Sequence, residues 1–433
     1  MTISQTASIM LSLSIALLSG LLLSRLAKKV KLPAVTAYLV AGILVGPYCL
    51  GMLGVEGFGF INKADVDKYA ILSDVALGFI AFSIGNEFRL SQLKKTGKQA
   101  TVIGIFQAVF TTLLVDVILI AVHFAIPDKF PLPAAIVLGA VASATAPAAT
   151  LMVVRQYKAK GPLTDILLPI VALDDAVGLV IFAISFGIAK ALISGHVDVL
   201  SVVVEPILEV VLSLLLGLVM GLLFTFFEKF FHSRSKRLSM SVTFVFLTVA
   251  LSMLKFEIGG IHIAFSSLLV CMMLGTIFCN ICDFSEELMD RVDRWTAPLF
   301  ILFFVLSGAE LELSVFTDVA IVVIGLLYIL SRSVGKYFGA SISARMVKCE
   351  PNITKYLGVT LLPQAGVALG MAIKSEQLGA EGAIVANITL FAVLIYELIG
   401  PLLTKIALLK AGEIKPEEKT SAREDTQKAL DNK

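Results

Sequence analysis

The stretch PIVALDDAVGLVIF, residues 169–182, decides how the rest of the chain is read. Two adjacent carboxylates, Asp174 and Asp175, stand in it, with no other ionisable side chain for two turns on either side. The apolar run around them extends from Asp165 to about Ile193. A helix of that length exceeds the ~30 Å hydrocarbon core of a bilayer. At about 1.5 Å per residue the two aspartates lie roughly 15 Å beyond Asp165, close to the midplane of the run. An ionisable group at that depth costs several kcal/mol and marks a functional position.

The flanking chain agrees with a membrane setting. Of 433 residues, 58% are hydrophobic and 16% charged, where soluble domains carry about a quarter charged residues. Mean hydropathy is +0.93. This excludes a soluble globular fold, and a net charge of +2 from 35 basic and 33 acidic residues leaves no footprint for a nucleic acid. Splitting at charged and Gly/Pro-rich breaks gives thirteen spans, at about 7–27, 34–51, 69–88, 100–126, 133–154, 165–193, 200–228, 239–255, 263–281, 295–314, 319–347, 354–373 and 381–410. The expected fold is an all-α polytopic membrane protein.

Loop charge orients it. Loops after the odd-numbered spans carry twenty basic residues, from Arg25, Lys28, Lys29 and Lys31 after the first to Arg345, Lys348 and Lys355 after the eleventh. The opposite loops hold five, Lys63, Lys68, Lys129, Lys255 and Lys374. By the positive-inside rule the N-terminus is outside and the C-terminus cytoplasmic. The first span has its basic residues after it rather than before it, so it reads as a span and not a cleaved signal. Residues 411–433 read as a short, disordered polar tail, too short for a folded regulatory domain. Cys279 and Cys282 form one CxxC without a second pair, and read as ordinary membrane cysteines.

Adjacent helix positions point ~100° apart, so Asp174 and Asp175 border one crevice while facing different neighbours. Two poorly solvated carboxylates so close do not readily both stay charged. A proton or a small alkali cation neutralises the same charge, and competition for one site is the minimum chemistry of exchange. The eleventh span carries Arg332 and Lys336 near its middle, at i and i+4 on one face. Lysine loses its proton when desolvated and arginine does not. Lys336 is therefore the candidate member of a proton cycle, and Arg332 a fixed counter-charge or a structural pair. Asp74, Asp116 and Glu397 read as internal pairs or loop contacts. Glu205 and Glu209 read as the lining of an outer funnel, and His123 and His262 as solvated side chains near outer span ends.

Two spans contain breaks. AVASATAPAATLMVV, residues 140–154, places Thr145, Ala146 and Pro147 after a run of small residues. GVTLLPQAGVALGMAI, residues 358–373, places Pro363, Gln364 and Gly366 at its centre. Proline removes a backbone donor and disfavours helix just before it. The breaks fall seven spans apart, so spans 4–6 and 11–13 have opposite orientations. That is the inverted-repeat pattern of secondary transporters, in which interrupted helices cross at mid-membrane with their half-helix ends facing the ion. The Thr145 hydroxyl is a candidate additional ligand.

LDDA at 173–176, SATAP at 143–147, GKYFGA at 335–340, LLPQAG at 361–366 and PLFILFFVLSGAEL at 298–311 together resemble the monovalent cation:proton antiporter superfamily. The likeness is to its second family, which includes bacterial sodium/proton antiporters and glutathione-gated potassium-efflux-like proteins, and it covers about residues 7–410. It implies a core ion-transport domain (100–193 and 319–410) moving as an elevator against a dimerisation scaffold (1–99 and 194–318) in a homodimer, with 411–433 as the tail. It implies that Asp175 binds the cation (Na+) or the proton, and that Asp174 takes part in the same site and pairs with Lys336 when no cation is bound. Ala146 and Asp174 stand where the eukaryotic-type branch has Asp and Asn, which resembles the two-aspartate, electrogenic group. Gln364 stands where some relatives have Arg, and the nucleotide-binding domain of many potassium-efflux members has no counterpart here.

The expected function is therefore exchange of a monovalent cation, sodium first and potassium as the alternative, for protons across a bacterial plasma membrane. No cofactor is expected, and the partners are the two ions, the lipid bilayer and a second copy of the chain. A rival reading is sodium-coupled symport of a small organic anion. An intramembrane aspartyl protease needs its two aspartates face to face on different helices, which adjacent aspartates do not supply, so no enzymatic activity is expected.

Overall fold

The computed structural model describes residues 4–30, 32–86, 88–194, 204–254, 256–258, 261–311 and 319–414. The first half of the chain forms α1 (Gln5–Lys29), α2 (Ala34–Val45), the short α3 (Lys63–Asp67), α4 (Ala70–Asn86), α5 (Leu90–Ala125), α6 (Leu132–Val141), α7 (Pro147–Gln156) and α8 (Pro162–Ser194). The second half forms α9 (Glu205–Glu228), α10 (Arg234–Ser252), α11 (Ser267–Ile281), α12 (Ser285–Glu310), α13 (Val319–Met346), α14 (Pro351–Thr360), α15 (Gly366–Ser375) and α16 (Ala380–Lys410). A small antiparallel hairpin, β1 (Phe256–Ile258) with β2 (Ile261–Ile263), follows α10 and departs from the all-α expectation. Among the described residues, eight helical stretches are long and apolar enough to cross a membrane by themselves. Helices suit that setting because every backbone polar group is satisfied within the segment.

Two helices begin well before the apolar runs that announce them. α5 starts at Leu90 rather than near residue 100, and α12 at Ser285 rather than near 295. In α12 the charged extension holds its helix through the Arg291–Glu287 pair at i,i+4, 2.5 Å, and through Glu286 and Glu287 in the first turn, where negative charge suits the helix dipole.

The helices gather around two main apolar cores. One joins α5, α6, α8, α13 and α16 through Val115, Leu138, Phe182, Tyr328 and Ile388. The other joins α4, α9, α10, α11 and α12 through Phe79, Phe224, Val245, Phe278 and Phe300. α5 and α13 approach unusually closely. A methyl group on Gly335 or Gly339 would sit 3.0 Å from the Cα of Thr111 or Gln107 respectively. Small residues permit such backbone approach, and here it brings Gln107 to the level of Lys336.

The expectation of a free tail from residue 411 is corrected for its first four residues. Glu413 is buried, and its carboxylate accepts the backbone N–H of Leu163 (2.5 Å) and Thr164 (2.8 Å) and the Thr164 hydroxyl (2.6 Å). Its carbonyl accepts the N–H of Lys160 at 3.1 Å. The open donors at the start of α8 explain the seat, since a helix N-terminus leaves N–H groups unsatisfied and favours a carboxylate. The rest of the tail, residues 415–433, and the side chains of Glu205 and His262 lie outside the described part of the molecule.

Candidate functional site

The site forms where the two breaks meet. Proline opens α7 at Pro147, and Ala146 before it is extended (φ −85°, ψ 103°) as a residue preceding proline must be. In the second break Pro363 and Gln364 lead to Ala365, also outside the helical region (φ −156°, ψ −131°), and Gly366 opens α15. The breaks lie against each other, and the Ala146 N–H donates to the Pro363 carbonyl at 2.8 Å.

A helix that stops inside a bundle leaves carbonyls that need donors. Four consecutive ones, Val141 to Ala144, are each taken by a side chain. Gln364 Nε2 donates to Val141 O at 2.9 Å, Arg332 Nε to Ala142 O at 3.0 Å, Lys336 Nζ to Ser143 O, and Arg332 Nη2 to Ala144 O at 2.6 Å. Arg332 Nη1 also reaches the other break, donating to Leu362 O at 2.7 Å. Its guanidinium lies 4.5 Å from the Tyr396 ring centroid. Of the two sequence readings of Arg332, a counter-charge or a structural role, its hydrogen bonds follow the second: they go to carbonyls. The reason is geometric, because the planar guanidinium fork satisfies several fixed acceptors at once.

Lys336 does meet an aspartate. Its Nζ lies 2.9 Å from Asp174 Oδ2, with both side chains fully buried. Its other two N–H groups go to Ser143 O and to Thr145 Oγ1 (2.9 Å), so all three donors are used. Asp174 accepts in addition the Thr145 hydroxyl at 2.5 Å and the amide of Gln107. Gln107 escaped the sequence reading. An uncharged side chain within a long helix carries no cost that would single it out.

Asp175 sits one position on and is treated differently. It is 4% exposed, and its Oδ1 has no hydrogen-bond partner. It borders a cavity of about 200 Å³ that runs along the C-terminal half of α8 and is also lined by Glu209, Met371 and Lys374. A larger cavity of about 980 Å³ approaches from the N-terminal end of α8 and stops at Leu168 and Pro169. The buried residues Ile170, Val171 and Ala172 separate the two along the helix.

The remaining acids stand apart from this cluster. Asp116 packs against Gly139, with Oδ1 unpartnered. Glu397 is buried in α16, with Oε2 unpartnered, and Asp74 is half-buried in α4. His123, expected to be solvated, is part-buried and meets the Phe130 carbonyl at 2.8 Å through Nδ1. The Cys279 thiol faces backbone carbonyls, the nearest being Thr276 O at 3.2 Å.

A bundle of apolar helices with a fully buried Asp–Lys pair at two touching helix breaks defines an integral membrane protein with charge at its centre. The chain belongs to the sodium/hydrogen exchanger family of transmembrane proteins, whose family model matches residues 13–410. It is 24% identical over 417 residues to the Na(+)/H(+) antiporter NhaS4 of Synechocystis sp., covering 92% of this chain and 96% of that protein. It is 23% identical over 392 residues to the K(+)/H(+) antiporter subunit KhtU of Bacillus subtilis, covering 88% and 89% respectively. Its fold is similar to that of the sodium proton antiporter MjNhaP1 from Methanocaldococcus jannaschii, with a TM-score of 0.73 at 18% identity over 94% of this chain and 98% of that one. A second structure of the same antiporter, at pH 8, gives 0.67.

Proposed function

We propose that the chain is a secondary antiporter that exchanges a monovalent cation, sodium first, for protons by alternating access, with Asp175 and Asp174 as the shared site. The observation that carries this reading is the contrast between the two carboxylates. Asp174 is compensated by Lys336, Thr145 and Gln107, whereas Asp175 is buried beside a cavity with an oxygen left over. A buried, uncompensated carboxylate takes up a proton or a cation. Cation entry at Asp175 displaces its proton and draws Asp174 away from Lys336. Proton return restores the pair and releases the cation. Thr145, already on Asp174, supplies a further oxygen within reach of the pair.

The wider architecture is part of the same proposal. Thirteen spans form inverted repeats, with α6/α7 and α14/α15 as two crossed interrupted spans. Residues 100–193 and 319–410 move as an elevator core against the scaffold of a homodimer, with the N-terminus outside and the C-terminus in the cytoplasm. The half-helix ends and Arg332 fix the backbone around the site. Potassium is the second reading, favoured by the likeness to KhtU. The test is dequenching of a trapped pH dye in proteoliposomes, with sodium, potassium and lithium each added with and without an imposed voltage. Cation-driven proton movement is expected for the native chain and its loss for Asp175→Asn. A fully active Asp175→Asn chain would sink the site assignment.

A further inference from the structure

The cavity beside Asp175 is bordered by three ionisable side chains: Asp175 itself, Glu209 from α9 and Lys374 from α15. Asp175 and Glu209 are on helices that pack against each other, α8 and α9. Glu209 is half-buried and Lys374 is exposed. Apart from Ser266, the other walls are apolar, including Leu179, Phe182 and Met371. A narrow passage with low-dielectric walls focuses the field of the few charges along it. A cation moving toward the spare oxygen of Asp175 through this space passes an attractive carboxylate and a repulsive ammonium.

We propose that Glu209 and Lys374 set the apparent cation affinity on this one face of the membrane. Glu209 concentrates the cation in the cavity, and Lys374 opposes it by repelling the cation. The face served by the larger cavity has different charged neighbours, among them Arg155, Asp165 and Asp293, so the two faces bind the cation unequally. The inference rests on the antiport reading above and adds residues to its specificity that the Asp174–Asp175 pair does not include.

Sidedness tests it. The half-saturating sodium concentration is measured by pH-dye dequenching in right-side-out and in everted vesicles from cells without other sodium/proton antiporters. Glu209→Gln is expected to raise half-saturation about tenfold from the cavity face, and Lys374→Gln to lower it several-fold. Both shifts shrink at high ionic strength, and half-saturation from the opposite face stays as in the native chain. Shifts that are absent, or equal on both faces, overturn the proposal. Lys374 is exposed, so its replacement leaves the fold standing and decides the matter if Glu209→Gln fails to accumulate. A native chain with no cation-driven proton movement refutes the antiport reading. A native chain that exchanges, with both variants kinetically unchanged, refutes only this inference.

Discussion

Lys336 has three N–H donors and three acceptors, and Asp174 is one of them. Removing one partner of such a buried pair leaves the other charge stranded, at a cost of about 3–5 kcal/mol. Lys336→Met should therefore lose more stability than Lys336→Met combined with Asp174→Asn. Thermal unfolding of the purified chains in detergent reads the difference, and equal losses would show that the two side chains are uncoupled. At this scale much of the site was legible. Charge is so rare in the apolar runs that Asp174, Asp175 and Lys336 stand out by depth alone. The partners of those charges were not legible. Gln107 reaches Asp174 because α5 packs on α8, while Gly335 and Gly339 let α13 press on α5 at the same level, a tertiary fact with no trace in the sequence near Gln107. Arg332 was visible as a charge, but whether it meets a carboxylate or carbonyls depends on where the breaks lie.

Among the elements, the prolines announced where helices would stop. They did not announce that the two stops share donors, with Arg332 serving carbonyls of both and Ala146 bonded to Pro363. Helix ends were also hard to place outside the apolar runs, where hydropathy falls silent while α5 and α12 continue. Packing between elements gives one sharp expectation. A methyl group on Gly139 of α6 would lie 1.7 Å from Asp116 Oδ1 on α5, so the side chain of Asp116 fills the space a larger residue would need. Gly139→Ala should cost about 1–3 kcal/mol through overpacking and lower the yield of folded protein. Adding Asp116→Ala should restore it, as judged by size-exclusion profiles in detergent. Failure of that rescue would place the strain elsewhere.

Across the whole molecule, two cavities approach α8 from opposite ends, and a buried stretch of the same helix keeps them apart. The start of α8 is closed by residues some 250 positions later in the chain, with Glu413 on Leu163 and Thr164. Composition alone marked that segment as the beginning of a polar tail, because a carboxylate that caps a distant helix looks like any surface acid. The seat changes where the chain can be trimmed. A version ending at Ile414 keeps all of these contacts, while one ending at Lys410 uncaps the helix that holds both aspartates. The shorter chain should be less stable by about 0.5–2 kcal/mol, read as a lower melting temperature than the version four residues longer. Among the described residues, contacts that hold the start of α8 then lie beyond the last membrane helix, and a shortened chain that keeps them ends at 414 rather than at 410.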